Sequence, residues 1–461
     1  ATTNTTARPA LLRQLGVFSA TALVVSNMIG TGIFTTSGFL AGDLGSPSVV
    51  LWIWVVGAAC ALLGAVCYSE LGINMPSSGG EYVYLTKAYG PTWGFMTGWV
   101  SFFAGFSATI AAVALNFADY LGHFFPAVAE DKSPVLFGSG DWAFHLGWAQ
   151  AVAAVIIISL TILNVLGVER VARIQNVLTA IKVSVILAFI VLGFLAGQGS
   201  FHNFALSTAR TSTTPLAGQF AVSLFYLYLS YSGWNAATYV AEELKSPERT
   251  LPKALALGTL VVAVLYLGLN AVFIYAAPLE VLKGQPAVGA LAASRLFGPE
   301  ITGIFTALMA VSLLSTINAM VTVGPRVYYA MAKNGAFLSA AANVHPRYNT
   351  PAYSIIAQGI CSLVLTITPF PSLVLYIGFM LNLFAAMAVA SLFVFRKRDG
   401  WKKLPAVSFC YPLFPVLFLL VAAWMTYYGV TLRPYISLAA AVTIAAGAIV
   451  YRSRLRPASA T

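Results

Sequence analysis

Apolar residues in this chain run in long blocks, and polar residues gather in the short stretches between them. About 20 consecutive apolar residues cross a hydrocarbon core. By that measure the blocks predict helical spans over 17–40, 49–72, 92–123, 148–166, 173–196, 216–241, 253–277, 301–330, 352–369, 372–395, 407–428 and 434–451. The pattern predicts an all-α membrane protein of about twelve transmembrane helices, with no run left over for a soluble domain.

The first and sixth blocks are interrupted. "SNMIGTGIF" (Ser26 to Phe34) places Ser, Asn, Thr and glycines at the middle of the first span, and "LSYSGWN" (Leu229 to Asn235) does the same in the sixth. A continuous helix satisfies its own backbone in lipid, so a polar, glycine-bearing centre marks a helix broken where it lines a cavity. Gly30 and Gly32 alone also fit close helix packing. A matching break in the sixth span points instead to an inverted five-plus-five repeat. The division is then a leader over 1–16, a first repeat over 17–196 (helices 1–5), a second over 216–395 (helices 6–10), peripheral helices 11 and 12 over 396–451, and a tail over 452–461. The leader is short and polar and lacks a small-residue cleavage site, so the first span is expected to be retained.

Breaks expose backbone dipoles. The second half of each broken helix begins near mid-membrane, at Thr31 to Phe34 and at Gly233 to Asn235, and offers free amides suited to an anion. The ends of the first halves offer carbonyls suited to a cation. A ligand carrying both charges on one carbon is an α-amino acid. Its carboxylate would meet the amides of Thr31, Gly32 and Ile33 and the Thr31 hydroxyl. Its ammonium would meet carbonyls near Met28, Ile29, Leu229 and Ser232. Glycine at 30, 32 and 233 lets the ligand approach where a β-carbon would hold it off. Asn235 comes directly after the second break and is a ligand candidate. Asn27 either presents its amide to the ligand or caps the first half-helix. Trp234 is expected to pack the break.

Composition narrows the class further. Of 461 residues 59% are hydrophobic and 8% charged, against about 25% charged in a soluble domain. Nineteen of the 25 Lys and Arg fall on the side that holds both termini and five on the other, which makes the termini cytoplasmic. The net charge of +11 then reads as orientation and anionic-lipid contact, not nucleic-acid binding. Cys60, Cys67, Cys361 and Cys410 lie in or beside apolar spans without metal-ligand spacing, so no disulfide framework, metal or cofactor is expected.

The remaining charge is Lys182, about nine residues and so roughly 13 Å beyond Arg173. Snorkelling to the interface is one reading; a charge facing a functional interior is the other. Glu70, and Glu242 with Glu243, end the second and sixth spans. They read either as inner-gate partners of Arg173 or Arg326 or, more simply, as solvated helix ends. Asp119 carries the same ambiguity. His123, His145, His202 and His345 fall in loops or span ends, which disfavours a histidine relay.

Four stretches carry a family resemblance: "NMIGTGIF", "YSELGINMPSSGGEYVYLTKAYG" (Tyr68 to Gly90), "SGWNAATYVAEELKSPERTLPKA" (Ser232 to Ala254) and "GPRVYYAMAKNG" (Gly324 to Gly335). In this order they resemble the amino acid–polyamine–organocation transporters, most closely the L-type branch and its bacterial relatives. The resemblance implies the leucine-transporter-like fold, alternating access around a mid-membrane site, and Gly30-Thr31-Gly32 as the carboxylate-binding motif. Ser232 stands where many L-type members have Gly. Leu229 stands where many have a large aromatic lid, with Tyr228 and Tyr231 adjacent as gating candidates. "NVLTAIKVSVI" matches the lysine-bearing fifth helices of sodium-independent members, which implies that Lys182 takes the place of a cation at the broken first helix. Its titration could also couple proton movement. The connection Leu121 to Gly147 lacks the cysteine that links animal light chains to a heavy chain, so no covalent heavy-chain partner is expected, as for a bacterial inner-membrane protein.

The expected activity is sodium-independent secondary transport of neutral L-amino acids, by exchange or proton coupling. Neither break carries an acid to neutralise a cationic side chain, so arginine or polyamine transport is second. A transporter-like amino acid sensor is a further alternative. An enzyme would need a nucleophile, an acid–base pair or metal ligands at one depth, and a channel a continuous polar stripe; neither can be assembled.

Overall fold

The computed structural model describes residues 15–454 other than 77–79, 141–142, 167 and 349; for Thr31, residues 168–176, Glu242 and Arg454 it describes the backbone alone. The chain is an all-α membrane protein. Its helices are, in order, α1 (Val17–Met28), α2 (Thr31–Leu44), α3 (Pro47–Asn74), α4 (Glu81–Tyr89), α5 (Pro91–Val100), α6 (Thr109–Leu121), α7 (Trp148–Leu166), α8 (Val168–Ala196) and α9 (Leu216–Ser230). They continue with α10 (Pro247–Ala276), α11 (Leu279–Leu282), α12 (Val288–Leu296), α13 (Pro299–Lys333), α14 (Ala352–Leu365), α15 (Phe370–Phe395), α16 (Pro405–Phe409), α17 (Leu413–Leu432) and α18 (Pro434–Arg454). Among the described residues nine helical segments are long and apolar enough to cross a membrane, α1 and α2 form a bent pair, and α9 and α14 are shorter apolar helices.

Local chemistry sets the ends. Proline stands in the first turn of α3, α5, α10, α13 and α15, where its missing N–H costs nothing. Gly45, at φ 69°, closes α2 in the left-handed conformation that glycine adopts without strain. α5 and α6 are one span joined by a π-helical stretch, Ser101–Ala108. Such a stretch rotates the helix beyond it, and Thr109 donates to the Ala104 carbonyl at 3.3 Å.

Buried polar side chains tie spans together, as expected in lipid. Ser37 donates to Asn270 at 2.6 Å, and Asn164 to Asn318 at 3.1 Å. On the face opposite the start of α1, the segment holding α11 and α12 lies on α2: the Gly284 N–H donates to the Gly38 carbonyl at 2.9 Å. There Phe39 stacks on Tyr226 and on Phe370, each with centroids 5.9 Å apart. A small antiparallel pair, Val135–Phe137 with Phe144–His145, lies in the same face's loop between α6 and α7.

On the α1 face, Glu70 is not the solvated helix end that the simpler reading expects, nor does it pair with Arg326. It is fully buried and pairs with Arg396, Nε to Oε1 at 2.7 Å and Nη2 to Oε2 at 2.5 Å. Trp401 Nε1 and the Leu404 N–H complete its shell at 2.8 and 2.9 Å. The reason is the return of the chain after α15, pinned beneath α3 by reciprocal Asn74–Lys402 bonds of 2.8 Å. The Arg173 and Glu242 side chains, the other expected partners, lie outside the described residues.

Candidate functional site

α1 ends at Met28, and α2 restarts at Thr31 after a 47° bend. The sixth span breaks after Ser230, turns through 231–235, and resumes as a short 3-10 helix, Ala236–Glu243. That second half is tighter and shorter than the α-helical start expected near Gly233, so its dipole is weaker than that of α2. The two breaks touch. Gly233, at φ 95°, lies against Asn27, and a β-carbon there would sit 2.8 Å from the Asn27 carbonyl carbon. A β-carbon on Gly32 would sit 2.5 Å from Ser230 Cα. These are the approaches for which glycine is needed.

Between the breaks lies a small cavity lined by Asn27, Met28, Gly30 and Gly32 from the first span and Leu229 and Ser232 from the sixth. Thr109 and Val113 of α6 and Thr316 and Met320 of α13 close it. The amides that begin α2 have no side-chain cap at Gly30, and the first turn of a helix has no internal partner for them. Among the described residues the buried Thr316 hydroxyl has no hydrogen-bond partner, which leaves it available to a ligand.

Other predicted residues fall elsewhere. The Thr31 side chain lies outside the described residues. The Ile33 side chain is buried in the core away from the cavity, and only its amide, in the first turn of α2, belongs to the expected site. The Ile29 carbonyl turns away from the cavity to accept from Lys182 Nζ at 2.7 Å, and the Met28 carbonyl accepts from Tyr266 Oη at 2.7 Å. The Ile29 carbonyl is thus held by a protein donor, while that of Met28 shares the single Tyr266 proton with the Ser230 carbonyl. Asn27, which lines the cavity, donates from Nδ2 back to the Leu23 carbonyl at 2.9 Å, within α1. Asn235 Nδ2 points to Glu81 Oε1 at 3.1 Å and Tyr239 Oη at 3.4 Å, not into the cavity. Tyr228 and Tyr231 line an apolar crevice shared with α3 and α17, and Tyr231 donates to the Trp54 carbonyl at 3.1 Å. Neither ring closes the cavity.

Lys182, 2% exposed, also donates to the Ser26 carbonyl at 2.9 Å. Its ammonium therefore bridges the last turn of α1 and the break itself, meeting carbonyls that have lost their helical donors. Tyr266 of α10, absent from the predicted site, holds the two breaks together: Oη is 2.7 Å from the Met28 carbonyl and 3.0 Å from that of Ser230. With one proton it donates to one of them at a time. A tyrosine in the apolar middle of the seventh span is the signal that could have found it. Trp234 packs on Tyr68 with centroids 4.6 Å apart.

In sequence the chain is similar to several amino acid transporters. The human large neutral amino acids transporter small subunit 2 is 28% identical over 446 residues, covering 93% of this chain and 77% of the relative. The serine/threonine exchanger SteT of Bacillus subtilis is 29% identical over 412 residues, covering 88% and 89%. The mouse b(0,+)-type amino acid transporter 1 is 30% identical over 422 residues, covering 90% and 82%. The sequence profile of the amino acid permease family matches residues 15–449, and the chain belongs to that family.

Proposed function

We propose that this protein exchanges neutral L-amino acids across a bacterial inner membrane by alternating access, without sodium, both termini being cytoplasmic. The supporting observation is the meeting of two broken spans at one cavity. The uncapped amides of α2 face a carboxylate there, and Thr316 supplies a hydroxyl. The ammonium then lies toward the sixth-span break, near Leu229 and Ser232, because Lys182 holds the Ile29 carbonyl and the Met28 carbonyl shares the Tyr266 proton with Ser230. The lining is neutral throughout and includes Leu229, Val113 and Met320, which fits an uncharged side chain. Lys182 stands where a sodium ion would otherwise hold the break. Residues 17–196 and 216–395 act as inverted repeats that rock about the site. No heavy-chain partner is required.

Two of the relatives carry neutral amino acids or exchange in their names, which favours exchange over proton symport. Counterflow in vesicles containing the purified protein tests the reading. Uptake of labelled neutral amino acid should require unlabelled amino acid inside and be unaffected when choline replaces sodium. Accumulation driven by external acid without internal amino acid would establish symport, and saturable binding without uptake would establish a sensor.

A further inference from the structure

The corner between α3 and α4 holds a carboxyl that the binding site does not use. Glu81, the first residue of α4, is half-buried, and Oε1 accepts from Tyr68 Oη at 2.6 Å and from Asn235 Nδ2 at 3.1 Å. Asn235 closes the sixth-span break, so this one oxygen joins the second span, the α4 loop and the second half of a broken helix. Two neighbouring contacts dock the same segment. Trp234 packs on Tyr68 and against Gly64, where a β-carbon would lie 2.8 Å from the indole. Gly80, at φ 48°, lies so close to Tyr239 that a β-carbon there would overlap its ring.

We propose that Glu81 is a positioning residue of the transport cycle, whose carboxylate latches the second half of the sixth span, through Asn235, to the α3–α4 corner. Opening of the cavity toward the α1 face requires that segment to leave the corner, and so requires these bonds to break. Glu81 therefore sets how firmly the closed state is held, without touching substrate.

Among the described residues no cation offsets its charge, and the groups facing it are phenols and an amide: Tyr68 from α3, Tyr84 from α4, Tyr228 from α9, and Asn235 and Tyr239 from the sixth-span segment. Among the described residues it makes no salt bridge. Burial raises its carboxyl above the usual carboxylate range. Ionised, Oε1 is the stronger acceptor; protonation weakens both bonds, so the latch loosens as pH falls through the raised value.

The proposal rests on the exchange reading above, and wild-type vesicles in counterflow test that reading separately. In vesicles where the wild type is active, Glu81→Ala should lower turnover about tenfold, the low end of what one hydrogen bond to a charged group contributes, with KM within about threefold. Glu81→Gln keeps an oxygen for both donors. As a neutral acceptor it should match the turnover that the wild type falls to at acid pH, within about threefold of the wild type at neutral pH, and show no further decline. Asn235→Ala should match Glu81→Ala, and the double variant should be no worse than either. Amino acid-induced thermal stabilisation of each purified variant reports folding. Should Glu81→Ala not fold, Glu81→Gln decides: a wild-type pH profile in that variant overturns the proposal. So does unchanged turnover in folded Glu81→Ala, or losses that multiply in the double variant.

Discussion

Removing the Lys182 ammonium probes the broken first span most sharply. The group is 2% exposed and makes two charge-assisted bonds, to Ser26 at 2.9 Å and Ile29 at 2.7 Å. A hydrogen bond to a charged group contributes about 1.5–3 kcal/mol, and a buried carbonyl left without a donor costs about 1–3 kcal/mol. Water entering the space left by Lys182→Ala can meet one carbonyl, so one bond, about 1.5 kcal/mol, is the floor. That shifts the population of the intact break by about tenfold; loss of both bonds exceeds a hundredfold. Lys182→Met keeps most of the stem's volume without the donors and should fall as far as Ala, which separates the ammonium from packing. Exchange by purified protein in vesicles, with choline or sodium outside, is the assay. Turnover within twofold of wild type in both variants, with sodium dependence unchanged, would refute the argument that the ammonium stands in for a cation.

Gly32→Ala should abolish exchange while leaving the protein able to reach the membrane, because its β-carbon would sit 2.5 Å from Ser230 Cα; Gly16→Ala, with open space around it, should be neutral in the same uptake assay. Arg396→Ala leaves the fully buried Glu70 carboxylate uncompensated and should cost about 3–5 kcal/mol. Thermal unfolding in detergent should show this, and adding Glu70→Gln should recover part of the loss. Glu130, in the loop after α6, is pushed from its usual 4.5 up to about 7, first by burial, against the Phe370 N–H bond and the His145 charge that lower it. The folded state thus holds a proton that the unfolded chain releases, so this contribution to stability is full below about pH 4.5 and is lost as pH rises through about 7. Glu130→Gln should flatten the fall in Tm between about pH 5 and pH 8 relative to wild type.

The spans are legible because bilayer thickness imposes one length on every crossing, and the breaks because a polar, glycine-bearing centre recurs five spans later, which close helix packing alone does not explain. What periodicity cannot convey is which side chains fill a break from a distant span. Tyr266 is 238 residues from Met28, and Thr316 reaches Gly30 across the bundle. Glu70 reads as solvated in sequence because its partner, Arg396, comes from a loop 326 residues away whose path no local pattern encodes. Adjacency to Leu229 suggests a gate for Tyr228 and Tyr231, yet helical rotation turns both rings to the opposite side, toward α3 and α17. Asn235 comes straight after the break in sequence, but the demand of the Glu81 carboxylate turns its amide out of the cavity.

Protection of the purified protein against heat by a matched ligand set decides whether the two breaks grip both charges of an amino acid. A neutral amino acid, its methyl ester, its decarboxylated amine and its deaminated acid differ only in the two charges that the breaks would grip. Only the amino acid itself should stabilise the protein, if both charges are held. Equal stabilisation by the ester or by the amine would contradict that grip, because a ligand without a carboxylate leaves the α2 amides with nothing to bind.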